Sequence, residues 1–270
     1  MTGSAALLAH SGVDHVALSA LAAVVVGAYG LAAMRVPGWR SWRTWCFAVG
    51  VVVVLVASLP VFETLAEQSF TGHMVQHLLV IVIAAPLLVV GQPVRLWRAI
   101  RPPSRHSPSA RRIGAAWRQY GVVVAPFGFV VVLYVTHLTS IYDDALHDRW
   151  LHEAEHAAYL LTAVGLWAVV FGAGRRAATA RVAAGFVVTA GGALLGVILL
   201  SASEPLMPTY AARLGTADAL SDQRTAAALM WTAGMLTTLP MIVVALWRWA
   251  AREDRLVRQA EAMLDATSRG

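Results

Sequence analysis

The sequence predicts an all-α, polytopic membrane protein: a bundle of seven transmembrane helices, N-terminus outside and C-terminus in the cytoplasm. Three observations predict it: a composition too apolar for a soluble domain, seven apolar stretches of spanning length, and an arginine distribution that alternates from one connecting segment to the next. Of the 270 residues, 58% are hydrophobic and 13% charged, whereas a soluble domain carries roughly 25% charged residues. The net charge of +6 does not point to nucleic acid, because the arginines sit between apolar runs and form no stripe interleaved with aromatics.

A hydrocarbon core of ~30 Å needs roughly 20 apolar residues in a helix. Such stretches occur at about 16–34, 45–61, 70–90, 121–138, 152–171, 182–200 and 223–247. The chain reads as a single transmembrane domain, 1–270, without internal repeat, ending in a cytoplasmic tail at 248–270 that is expected to be a short amphipathic or frayed helix. Pro86 and Pro126 fall inside spans, where proline bends the helix or frees a carbonyl for a neighbour. No basic residue precedes Arg35, so the N-terminus lacks the positive region of a signal peptide and the first stretch is expected to stay as a helix.

Orientation follows from the arginines. Arg35, Arg40 and Arg43 follow the first stretch, Arg95 to Arg118 the third, Arg175, Arg176 and Arg181 the fifth, and Arg248 to Arg269 the seventh. The alternate segments hold only Arg149, Arg213 and Arg224, together with most of the acids. The arginine-bearing segments, including the Pro- and Ser-rich linker at 102–109, are therefore expected in the cytoplasm, with contacts to anionic lipid headgroups.

On this topology every histidine except His106 lies in the outer half. His10 and His15 sit at the first stretch, His73 and His77 open the third, His137 ends the fourth, His147 follows in the loop, and His152 and His156 open the fifth. His73 and His77 are spaced i, i+4, as are His152 and His156, so each pair shares one helical face. Two such pairs facing each other make a multi-imidazole metal site, and polar groups this near the hydrocarbon face the bundle interior. Imidazole suits copper, zinc and iron, and a thioether adds a preference for Cu(I). Of Met74, Met207 and Met230 on the outer side, Met230 is favoured, because Met74 projects about 100° from its neighbour His73. The lone cysteine, Cys46, rules out an internal disulfide and a Cys-x-x-Cys site. Gln76 and Asp222 are expected to hydrogen-bond the second ring nitrogens and fix ring orientation.

Two other chemistries stay open. His152-Glu153-Ala154-Glu155-His156 matches H-E-x-x-H, in which two histidines bind zinc and the first glutamate activates water; this reads as a membrane-embedded zinc hydrolase or protease, although the chain has no Asp-Gly dipeptide to supply a third ligand. Alternatively, one histidine from each pair holds a haem between facing helices.

These residues resemble a known family. His73-Met74-Val75-Gln76-His77-Leu78-Leu79, Ala85-Pro86-Leu87-Leu88 and Gly91-Gln92-Pro93, then His137, Tyr142-Asp143, His152, His156, Asp222-Gln223 and Met230-Trp231, are similar to the signature of the CtaG family of cytochrome c oxidase assembly factors, the type associated with caa3 oxidase. The likeness runs from about 62 to 247. It departs at Ala227 and Ala228, where glycine is expected, and at Trp167, which lacks a following proline. The resemblance implies a multi-pass protein of the bacterial inner membrane, not an enzyme, needed to make active haem–copper oxidase. Its partners would be the catalytic subunits of that oxidase and other copper chaperones. It also implies transient copper binding from the extracytoplasmic side, through His73, His77, His152 and His156, with His137 and Met230 as further ligands. The missing cysteine pair separates the chain from the single-span, cysteine-using copper chaperones of similar name.

Overall fold

The structure, a computed structural model, describes residues 2–101, 108–171 and 178–268. Most of the predicted linker at 102–109, with His106, and Arg175 and Arg176 lie outside the described residues. Among the described residues all regular structure is helical. Among the described residues five stretches are long and apolar enough to cross a bilayer, namely His15–Met34, Phe70–Ile100, Arg111–Leu138, Arg149–Phe171 and Thr179–Ser201. A sixth is formed if α2 (Ser41–Ala57) and α3 (Pro60–Gln68), bent by 52° at their junction, count as one. The seventh predicted stretch, 223–247, lies within a long helix, Thr216–Ser268, some of whose side chains lie outside the described residues. Of the seven expected spans, five to six are thus found among the described residues.

Each departure from the predicted boundaries has a local cause. The second stretch was expected to reach 61, but α2 stops at Ala57 because Leu59, preceding Pro60, is extended (φ −73°, ψ 148°) and Pro60 then opens α3, as the residue before proline is pushed out of the helical region. The fourth was expected to begin at 121, whereas α7 runs Pro108–Leu138; the apolar window marks only the part in hydrocarbon, and the basic turns around Arg111 and Arg118 continue the helix beyond it. The tail is likewise helical to Ser268, continuous with the helix before it.

The third span is interrupted. After α4 (Phe70–Leu78) the chain widens into a π turn, Leu79–Ala84, before α5 (Ala85–Val90). Proline at 86 cannot donate a backbone hydrogen bond, and its ring crowds the carbonyl four residues back. Ala85 N–H reaches Val80 O in the i→i−5 pattern. The next bond of that pattern would join residue 86 to Ile81 O, but Pro86 has no N–H, and the indole Nε1 of Trp167 donates to Ile81 O instead, at 2.9 Å. The expectation that a span proline frees a carbonyl for a neighbour is met here. At Gly91 a β-carbon would lie 2.8 Å from Phe47 Cβ, and Gln92 takes a left-handed conformation (φ 55°) before Pro93 opens α6 (Pro93–Ile100), so Gly91-Gln92-Pro93 is a tight helix-to-helix corner.

Two further long helices, α9 (Arg149–Phe171) and α10 (Ala178–Ser201), complete the bundle, with the short α8 (Ile141–Ala145) and α11 (Pro208–Leu214) at one end and α12 (Thr216–Ser268) along its length. α10 lies along α12 and α7 along α9, and α4 packs against α12. Phe70, Tyr142, Tyr159, Trp167 and Leu195 are among the large members of the main core. A smaller cluster joins α1 (Thr2–Met34) to α2, with Tyr29 stacked on Phe47 at 4.1 Å and donating its hydroxyl to Gly91 O at 2.5 Å. Large apolar side chains also cover the outside: Val16 is 71% exposed and Leu161 72%. An apolar rind of this extent fits a molecule whose solvent is lipid.

Candidate metal centre

The site begins with the N-terminus of α4. Its first backbone N–H groups have no partner within the helix. Ser69 caps it, its hydroxyl accepting from Gly72 N at 3.0 Å. The Asp222 carboxylate reaches over from α12 and accepts from Phe70 N at 2.6 Å, Thr71 N at 3.2 Å and the Thr71 hydroxyl at 2.5 Å. A carboxylate at the positive end of a helix dipole is favourable, and here it fastens the helix that carries His73 and His77. At Gly72 any β-carbon would fall on the Leu65 carbonyl of α3.

The structure brings both histidine pairs together. Ring centroids lie 4.4 Å apart for His73 and His77, 4.5 Å for His152 and His156, 5.3 Å for His73 and His152, and 4.8 Å for His77 and His156. Donor atoms of His73, His152 and His156 fall within 4.8 Å of one another, as do those of His73, His77 and Glu155. His73 is fully buried, and His77 and Glu155 nearly so. The Tyr142 ring covers His73 at 4.5 Å and the Tyr159 ring covers His77 at 4.5 Å.

Glu155 was not singled out from the sequence. Its Oε2 lies 3.7 Å from His73 Nε2 and its Oε1 3.5 Å from His77 Nε2, too far for good hydrogen bonds. Both carboxylate oxygens, both nitrogens of His73 and His77, and His156 Nε2 are buried without a hydrogen-bond partner. Such groups each cost about 1–3 kcal/mol if left unsatisfied, and a cation among them would satisfy them together. The spacing suits one: donors each about 2.1 Å from a tetrahedral ion stand roughly 3.4 Å apart. Glu153, the glutamate that H-E-x-x-H zinc chemistry needs, is exposed, and the carboxylate facing the imidazoles is Glu155.

The remaining predicted residues lie elsewhere. Gln76 and Asp222 do not hydrogen-bond an imidazole: Gln76 Nε2 donates to Ala57 O at 2.8 Å, and Asp222 is taken up by the α4 cap. Gln223 clamps the neighbouring loop, accepting from Leu206 N at 2.8 Å and donating to Leu199 O at 3.0 Å. Asp143 caps α11 through Thr209, at 2.9 Å to its N–H. His137 lies outside the two donor groups and is packed instead against Met74, with Nε2 to Sδ 3.4 Å. Met230, favoured from the sequence, lines an apolar cavity beside the cluster; the methionine whose sulfur meets an imidazole is Met74, because α4 turns His73 toward α9 and Met74 toward α7. His147 is exposed and donates from Nδ1 to Asp143 O at 2.9 Å; His15 is half-buried, and the side chain of His10 lies outside the described residues.

Fold and site together define a helical multi-span membrane protein with a buried imidazole and carboxylate cluster between two of its spans. Residues 25–252 match the family of cytochrome c oxidase caa3 assembly factors, and the chain belongs to that family. The match starts earlier than the motifs alone suggested, within the first span. The chain is also 24% identical over 245 residues to an uncharacterised protein of Mycobacterium leprae, covering 85% of this chain and 37% of that protein. An uncharacterised protein of Mycobacterium bovis is 25% identical over 254 residues, 87% of this chain and 38% of its own length. The chain thus spans just over a third of the length of these relatives. No solved structure matches it.

Proposed function

We propose that this assembly factor binds a copper ion at His73, His77, His152, His156 and Glu155 and passes it to the catalytic subunit of a haem–copper oxidase. In this reading the seven-span topology, N-out and C-in, puts the cluster in the extracytoplasmic half of an inner-membrane protein. The single observation that carries the proposal is the set of buried, unpartnered donor atoms of His73, His77, Glu155 and His156 facing one another. Imidazole with carboxylate accepts copper and zinc alike, and copper stands above zinc in the affinity order of divalent ions. Neutral imidazoles also make release simple, since protons compete with the ion for the same lone pairs.

The test is metal analysis of the detergent-purified chain beside a His73→Ala, His77→Ala variant, with oxidase activity measured in membranes of a strain lacking the protein. The variant is expected to lose the copper and fail to restore the oxidase. Full copper content with full rescue would end the proposal.

A further inference from the structure

A second constellation lies one helical face away from the cluster. His137, near the end of α7, is buried, and its Nδ1 is 2.8 Å from Leu133 O. A carbonyl oxygen only accepts, so Nδ1 carries the ring proton. Thr136 Oγ1 and the Tyr159 hydroxyl also lie 3.1 and 3.2 Å from Nδ1, but the Leu133 carbonyl is nearer, and with the one Thr136 proton donated to Val132 O at 3.0 Å the 2.5 Å contact between the two hydroxyls takes the Tyr159 proton. A neutral imidazole has one N–H, which leaves Nε2 as a bare lone pair. That lone pair faces the Met74 sulfur at 3.4 Å, and a thioether has no proton to give. Two buried acceptors therefore point at each other with nothing between them.

A soft cation resolves this contact. Thioether sulfur selects Cu(I) over zinc. A cavity of about 100 Å³ opens beside the pair, walled by apolar residues such as Phe129, Leu133 and Val188, with no carboxylate in its lining. A neutral donor set in an apolar wall favours a monovalent ion over a divalent one, since less charge is left uncompensated. His77 lines the same cavity, and its Nδ1 has no hydrogen-bond partner while its Nε2 faces Glu155.

We propose that Met74 Sδ and His137 Nε2, with His77 as a third donor, form a second metal site selective for Cu(I), adjoining the histidine and Glu155 cluster through His77. The inference deepens the copper reading above and rests on it. Two sites of unequal softness sharing one imidazole give a Cu(I) ion, with no change of oxidation state, a path from a charged, borderline donor set to a neutral, soft one within the same chain.

The experiment titrates the full, detergent-purified chain with Cu(I) held by bicinchoninate, and separately with Zn(II), in wild type, Met74→Leu and His152→Ala, His156→Ala, with copper X-ray absorption on the Cu(I)-loaded forms. Met74→Leu nearly conserves volume and is expected to leave the fold intact. It should weaken one Cu(I) equivalent at least tenfold and remove the sulfur shell from the absorption spectrum while zinc binding stays unchanged, and Met74→Cys should restore both. The double histidine variant should lose zinc and keep Cu(I) with its sulfur shell. Unchanged Cu(I) affinity in Met74→Leu overturns the second site and leaves the cluster reading standing. Zinc binding untouched by the double histidine substitution overturns the cluster reading instead. Loss of both ions in Met74→Leu overturns the separateness of the two sites.

Discussion

A helix turns about 100° per residue, so in His152-Glu153-Ala154-Glu155-His156 the two glutamates face apart. Positions 152, 155, 156 and 159 fall on one stripe, and Glu155 and Tyr159 on that stripe are buried while Glu153 is exposed. Glu155→Gln is therefore expected to lower metal affinity at least about tenfold, the scale that even an indirect partner of a ligand carries, whereas Glu153→Gln should leave it unchanged; isothermal titration with Zn(II) and Cu(II) reads both. The histidine pairs were legible because i, i+4 spacing states a shared face directly. Glu155 is less legible, because the H-E-x-x-H pattern names the first glutamate and only the 152, 155, 156, 159 stripe points to the second. Met74 does point away from His73, and its sulfur meets another imidazole, that of His137.

At the scale of elements, the site depends on how α4 is anchored. Asp222 supplies acceptors to Phe70 N, Thr71 N and the Thr71 hydroxyl, the work of an N-cap residue delivered from a different helix. Asp222→Ala should cost about 1–2 kcal/mol, as loss of a cap does, and should loosen His73 and His77 together. Its expected signature is a lower melting midpoint in detergent and weakened metal binding, with Asp222→Asn recovering part of each; an unchanged midpoint would remove Asp222 from this role. The sequence alone suggests this residue as a partner for a ring nitrogen. Sequence spacing reports which residues share a helix face, but not which end of a neighbouring helix they reach. The π turn at Leu79–Ala84 shows the same limit, since Pro86 announced a freed carbonyl but not that Trp167, 86 positions along the chain from Ile81, would take it.

For the molecule as a whole, apolar runs and arginine placement made the helical, membrane-spanning class legible, while helix ends were not, because hydropathy marks the bilayer rather than the helix. The orientation is tested with the chain's own economy of thiols. In a Cys46→Ser background, Glu153→Cys should react with a membrane-impermeant maleimide in intact cells and Arg98→Cys should not, the reverse pattern inverting the topology. The Leu65 carbonyl occupies the space where any side chain at Gly72 would begin, so even a methyl there must pry the third span off the short helix before it. A genetic screen for respiratory deficiency would be expected to recover lesions at this codon as readily as at the histidines, and such strains would carry a displaced scaffold with every histidine of the cluster still encoded.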